Sequence, residues 1–304
     1  MHGHSHGGGE ETVSGRALFI TIVLNLGISV TQIIGGAVAG SMAVVSDAVH
    51  NFSDCAGLIL AYAAMKIGGK GPSPAYSFGF RRAEILAALI NAAMLAGACL
   101  FLVLEAVDRL RHPQPVSGAL VVLLAGAGIL GNGFSVLLLR KGAKGDINMR
   151  GAFLHMLGDF LTSAAVMVNG LALMFWPVYW LDPLLTVAIV VFIVKSGWGV
   201  AREGLRIVME GVPAGVDLGA VRRAIMETPG VEEAHHLHAW AVGPQGVFFT
   251  CHIRTKVRNL AETAPVGERV KALLHDRFGV EHAVLEFEAE NCGETGLLCP
   301  HGDG

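Results

Sequence analysis

Charge is scarce in this sequence. Only 15% of the residues are Asp, Glu, Lys or Arg, 53% are apolar, and the mean hydropathy is +0.55. A soluble chain carries about 25% charged residues, so a wholly soluble protein is excluded. Cysteine is sparse as well. Cys55, Cys99, Cys251, Cys292 and Cys299 are odd in number and two of them lie in apolar stretches, which excludes a disulfide framework. There is no Gly-x-x-x-x-Gly-Lys-Ser/Thr, so ATP is not the energy source, and no His-Glu-x-x-His, the signature of a zinc hydrolase. A net charge of −3 without a basic patch leaves no footprint for nucleic acid. The opening Met-His-Gly-His-Ser-His lacks both the basic and the apolar regions of a signal peptide.

What is present is apolar length, confined to residues 17–201. About 20 apolar residues cross a bilayer, and six stretches qualify: 17–39, 42–67, 84–107, 118–139, 149–175 and 181–201. Lys66, Lys70, Arg81 and Arg82 lie between the second and third, and Arg140, Lys141, Lys144 and Arg150 between the fourth and fifth. The other side carries only Arg109 and Arg111, so the positive-inside rule puts both termini in the cytoplasm. Trp176, Tyr179 and Trp180 suit an outer interfacial belt.

From Glu210 the chain reads as soluble. Residues 217–227 and 264–278 show helical periodicity. Residues 231–242, 247–257 and 283–288 are strand-like, with Gly243-Pro244-Gln245-Gly246 as a hairpin signal. The predicted fold is thus an α-helical membrane protein. A six-helix transmembrane domain (16–208) precedes a cytoplasmic αββαβ domain (209–290) of α+β, ferredoxin- or metallochaperone-like type. A His-rich disordered segment (1–15) and a Cys/His-containing flexible tail (291–304) flank them.

Two polar spacings interrupt the apolar runs: His50-x-x-x-Asp54 and His155-x-x-x-Asp159. Residues at i and i+4 share a helix face, so each pair aims an imidazole and a carboxylate the same way. Ionisable groups at membrane depth cost roughly 2.5–3.5 kcal/mol and usually serve function. Two pairs give four N/O ligands, the set that tetrahedral Zn²⁺ takes and that also suits Co²⁺ and Cd²⁺. Two carboxylates balance the 2+ charge, and the empty site is neutralised most cheaply by protons. Metal and proton then compete for the same atoms, which is a basis for antiport.

The chain resembles the cation diffusion facilitator family over nearly its whole length. The matching motifs are Ser46-Asp47-Ala48-x-His50-x-x-x-Asp54, Tyr76-Ser77-Phe78-Gly79-Phe80-Arg81-Arg82-Ala83-Glu84, His155-x-x-x-Asp159, Glu210-Gly211-Val212-Pro213 and Val231-x-x-x-His235-x-Leu237-His238-x-Trp240. The resemblance implies a multi-pass protein of a bacterial inner membrane, bathed in lipid and working as a homodimer that expels Zn²⁺ against inward H⁺. It maps His50, Asp54, His155 and Asp159 onto the transport site, and a His at the first position goes with zinc over cadmium.

The resemblance also places His235, His252, Glu286 and Glu288 where the family has a cytoplasmic binuclear metal site, structural or regulatory in role. A bridging histidine of that site finds no counterpart. It pairs Arg82 with Glu210 in an interdomain charge lock; a positive-inside anchor is the alternative for Arg82. The family's loop metal ligands between spans two and three are replaced by Pro74, Tyr76 and Phe80. Asp47 reads as structural support through Asn25, Asn51 or Gln32, or else as a proton relay or outer partner of a ligand. Asn25 and Asn169 read as interhelical hydrogen bonders. His2, His4, His6, Cys292, Cys299 and His301 read as weakly chelating ends. The rival functions are an intramembrane metalloenzyme and a metal receptor that does not transport.

Overall fold

The computed structural model describes residues 8–139, 147–243, 246–257, 259–290 and 296–298. Six long helices come first: α1 (Gly8–Ala39), α2 (Met42–Gly68), α3 (Ala83–Arg111), α4 (Gly118–Leu139), α5 (Ile147–Phe175) and α6 (Leu181–Val208). A smaller set follows: α7 (Leu218–Met226), β1 (Glu233–Ala241), β2 (Val247–Arg254), α8 (Leu260–Phe278) and β3 (Val280–Glu288). The αββαβ order is the one the periodicities predict. Helix α1 starts well before residue 17, so residues 8–15, expected to be disordered, are helical. The basic residues Arg140, Lys141 and Lys144 and the hairpin residues Pro244 and Gln245 lie outside the described residues.

Among the described residues, five helices are long and apolar enough to cross a membrane, all of the six except α2. Helix α2 has the length, 27 residues. Its hydropathy is diluted by Asp47, His50, Asn51 and Asp54, the same residues that give it chemistry.

Two compact units emerge: Met1–Leu60 with Ile90–Gly199, and Ala61–Leu89 with Val200–Gly304. Helices α2, α3 and α6 run from one unit into the other, so the division does not coincide with residue 208. In the first unit α4 packs on α5 and α1. A Cβ on Gly118 would stand 2.7 Å from the Gly170 carbonyl oxygen, so the α4–α5 approach is backbone to backbone. Met42, Val44, Leu102, Val121, Val166 and Ile193 fill the centre, while Leu104, Leu130, Val168 and Phe175 face outward, as lipid contact requires. Tyr179 departs from the expected belt and packs on this core; Trp176 and Trp180 are exposed.

In the second unit β1 pairs antiparallel and β3 parallel with the central β2. Val221 and Ile225 of α7 and Val270 and Leu274 of α8 pack on Phe249 and Ile253 of the sheet. Asp217 and Asn259 cap the two helices by accepting from Gly219 N–H and Ala261 N–H. Helix α8 begins at Leu260 rather than 264 because this cap starts it, with Pro265 inside. One irregularity stands out. The β1–β2 register shifts between His235 and His238, and His236 takes φ 51, the left-handed region that L residues avoid.

Candidate metal centre

In the first unit α2 presents His50 and Asp54, and α5 presents His155 and Asp159. His50 Nδ1 lies 3.5 Å from Asp54 Oδ2, and His50 Nε2 lies 3.7 Å from Asp159 Oδ1. His155 Nε2 lies 3.1 Å from Asp54 Oδ2 and 3.7 Å from Asp159 Oδ2. A tetrahedron with Zn–N and Zn–O arms of about 2.0–2.1 Å has edges of about 3.3 Å; the separations are of that order, although they involve both ring nitrogens of His50 and both oxygens of Asp159, and one ion would take a single atom from each. His50, Asp54 and Asp159 each bring a ligand atom within 4.8 Å of the others. His155 stands at the rim, its side chain 44% exposed against 6% for His50 and 3% for Asp159. His50 Nδ1, Asp54 Oδ2 and Asp159 Oδ2 are buried without a hydrogen-bond partner. Orphaned buried polar atoms are costly, and these three belong to neighbouring side chains.

Asp47 sits beside this centre but outside it. Thr162 Oγ1 donates to its Oδ1 at 2.7 Å and Ser163 Oγ to its Oδ2 at 2.8 Å. Thr162 also donates to the Asp159 carbonyl at 3.0 Å, so Asp47 ties α2 to the α5 turn that carries Asp159. These partners replace the three expected. Gln32 donates to the Leu124 carbonyl and Asn25 to Met156 Sδ. Asn169 bonds Asp182, a residue the sequence did not single out.

The second unit holds another cluster. His252 Nδ1 lies 2.6 Å from Glu288 Oε1 and His252 Nε2 3.4 Å from Glu286 Oε2, while His235 Nε2 lies 3.3 Å from Glu288 Oε2. All four expected residues are therefore adjacent, and His236 joins them. Its ring centroid is 4.9 Å from His235 and 5.0 Å from His252. Alternation along a strand would send His235 and His236 to opposite faces; the bulge lets both meet His252. Burial lowers the His235 pKa, which keeps the imidazole neutral and able to bind metal. Burial pushes the neighbouring Cys251 thiol up to about 12, so it is an inert core residue. Residues 296–298 lie along β1, with His236 N–H and Leu237 N–H donating to the Gly296 and Leu297 carbonyls. His2, His4, His6, Cys292, Cys299 and His301 lie outside the described residues.

The α2–α3 loop belongs to the same unit. Arg82 Nη2 is 3.0 Å from Glu210 Oε1, Arg81 is 3.6 Å from Glu281, and Phe78 meets Phe248 edge-on at 5.2 Å. Glu210 ends α6 in the left-handed region, φ 55.

Residues 18–209 match the family model of the cation efflux transmembrane domain, and residues 213–290 that of the cation efflux protein cytoplasmic domain. The metal cation efflux system protein CzcD of Cupriavidus metallidurans is 32% identical over 97% of this chain and 92% of its own length. The zinc transporter ZitB of Escherichia coli is 30% identical over 96% and 93%. The cadmium, cobalt and zinc/H(+)-K(+) antiporter of Bacillus velezensis is 30% identical over 98% and 95%. A solved metal-bound C-terminal domain of the CzcD transporter is 34% identical over 24% of this chain and 99% of that one, with a TM-score of 0.22. With two family models covering both of its parts and relatives aligned from end to end, the chain belongs to the cation efflux (cation diffusion facilitator) family of multi-pass membrane metal transporters, and it is not an enzyme.

Proposed function

We propose that this chain expels Zn²⁺ from the cytoplasm in exchange for protons, with His50, Asp54, His155 and Asp159 as the transport site and a homodimer as the working unit. The observation that carries this reading is the convergence of two imidazoles and two carboxylates from α2 and α5 at 3.1–3.7 Å inside an apolar helical unit. Two carboxylates neutralise the divalent ion, so the loaded site has no net charge to hold in low dielectric. When the ion leaves, the same oxygens and nitrogens take protons, and each protonation weakens the next metal's hold. That competition couples two opposite gradients without ATP.

Zinc comes first because the ligand set is borderline between hard and soft and because His50 occupies the first position. Co²⁺ and Cd²⁺ are the competing ions. The relatives' names support both points, one being a zinc transporter and another a cadmium, cobalt and zinc antiporter that exchanges H⁺ and K⁺. The match to a family model named for dimerisation supports the homodimer. The basic residues Lys66, Lys70, Arg81 and Arg82 support cytoplasmic termini and a bacterial inner membrane orientation. We assign a regulatory metal to His235, His236, His252, Glu286 and Glu288, in which cytoplasmic Zn²⁺ biases one state of the carrier by binding it more tightly.

The test is Zn²⁺ uptake into proteoliposomes under an imposed proton gradient, for the native chain, Asp54→Ala and Asp159→Ala. Gradient-driven flux lost in both variants is the expected result. Native-like flux in both, or flux indifferent to pH, refutes the reading.

A further inference from the structure

One fully buried carboxylate takes no part in either metal cluster. Asp182, in the first turn of α6, has no exposed surface. Its Oδ1 accepts from Ser41 Oγ at 2.6 Å and from Asn169 Nδ2 at 2.8 Å, and its Oδ2 accepts from the backbone N–H of Met42 at 2.7 Å and of Ala43 at 3.3 Å. Four donors satisfy the lone pairs of both oxygens. No lysine or arginine is among them. The charge is held by two amides of the α2 N-terminus, whose dipole favours an anion, and by two neutral side chains. Asp182 itself lies in the first turn of α6. Other groups fasten the same turn: Arg109 of α3 donates to the Gly40 carbonyl and Ser117 N–H to the Ala39 carbonyl.

We propose that Asp182 is a positioning residue of transport, a latch that holds the metal-bearing helices α2 and α5 against α6 at the outer end of the pathway. The designation of that end as outer, and the transport role, rest on the function proposed above. The latch acts on both halves of the centre. Met42 is two turns, about 12 Å, before His50 along α2, and Asn169 is about 15 Å past Asp159 along α5. On α2 the stretch between is mostly closed: Val44, Ser46, Asp47 and Ala48 are buried. An ion leaving toward this end must pass between α2, α5 and α6, and one carboxylate ties all three. A charge-assisted cluster with no counter-cation suits a contact that must break and remake, because water can replace its neutral donors one at a time.

The test is labelling of a single cysteine placed between latch and site. Ser46→Cys is introduced into the full chain with its five native cysteines changed to alanine, and a membrane-impermeant methanethiosulfonate is applied from outside the cells. With Asp182 intact labelling is slow. Asp182→Asn removes the charge and turns an amide N–H₂ toward donors. It is expected to raise the labelling rate about tenfold or more, as loss of a charge-assisted hydrogen bond implies. Ser41→Ala removes one donor of four and gives a smaller rise. Zn²⁺ binding in detergent stays native in both, which a disrupted fold would not allow. Unchanged labelling in both variants overturns the proposal; if Asp182→Asn fails to fold, Ser41→Ala decides. If the chain with Asp182 intact moves no Zn²⁺ while Asp182→Asn still gains labelling, the transport reading falls and the latch stands.

Discussion

The two histidines of the proposed transport site are not equivalent, and that asymmetry sets a measurable order. His50 lies within the tight group with Asp54 and Asp159, is 6% exposed, and presents Nδ1 to Asp54 and Nε2 to Asp159. His155 is 44% exposed and contacts both carboxylates from the rim. To bind, it must give up rotamer freedom that His50 has already lost in folding, at about 1 kcal/mol. That cost is subtracted from its contribution as a ligand. His155→Ala is therefore expected to weaken Zn²⁺ binding by about tenfold to a hundredfold, leaving a three-ligand site that water completes, since each 1.4 kcal/mol is about a factor of ten. His50→Ala removes the more buried imidazole and leaves the buried Asp159 carboxylate and the partly buried Asp54 carboxylate facing a void, so its loss is larger by at least about another tenfold. The assay is competition with a fluorescent zinc chelator on purified protein, followed by flux in proteoliposomes. Equal losses, or a greater loss for His155→Ala, would refute the claim that the centre is built on three pre-placed ligands and one recruited at the rim.

Other expectations are simpler to state. Gly118→Ala puts a methyl group 2.7 Å from the Gly170 carbonyl and 2.8 Å from Met174 N, so α4 and α5 must part; thermal unfolding in detergent is expected to show about 1–3 kcal/mol of destabilisation. Arg82→Ala breaks a pair whose side chains are 39% and 64% exposed, so it should cost under about 1 kcal/mol in the same assay, and less at high salt. His235 contributes stability that is fully present above the ordinary imidazole value of 6.5 and lost as pH falls through its lowered folded value, since the unfolded chain takes the proton first. In chelator, the unfolding midpoint should fall on acidification below that value, and His235→Gln should flatten the slope.

The helical spans and the αββαβ order were legible because each rests on a period, about 3.6 for the helices and about 2 for the strands; the same helical period puts His50 and Asp54 on one helix face, whereas His235, His252, Glu286 and Glu288 came from the resemblance and the structure brings them side by side. The sequence concealed what breaks a period. His236 escaped notice because strict alternation turns it away from His235, and only a backbone at φ 51 turns it back. Asp182 escaped because a carboxylate in the first turn of a span reads as an ordinary helix-end charge; its partners Ser41 and Met42 are 141 and 140 positions away. The partners of Asp47 were missed for the same reason, as Thr162 and Ser163 are common residues whose direction only packing decides.

The composition of α2 bears on how the protein is made. A span inserts on its own when its apolar residues outweigh its polar ones, and α2 is the one long helix that falls short among those described. It follows α1 after the two-residue turn Gly40-Ser41, with Gly40 at φ 72 beneath the Pro115 carbonyl. Helix α2 is therefore expected to enter the bilayer as the trailing arm of a hairpin, carried by α1 rather than by its own partitioning. A chain in which a long polar linker separates α1 from α2 should leave α2 on the outer side of the membrane, as a glycosylation or protease-protection assay would report. The polar residues that the proposed site needs on α2 thus cost that helix independent insertion.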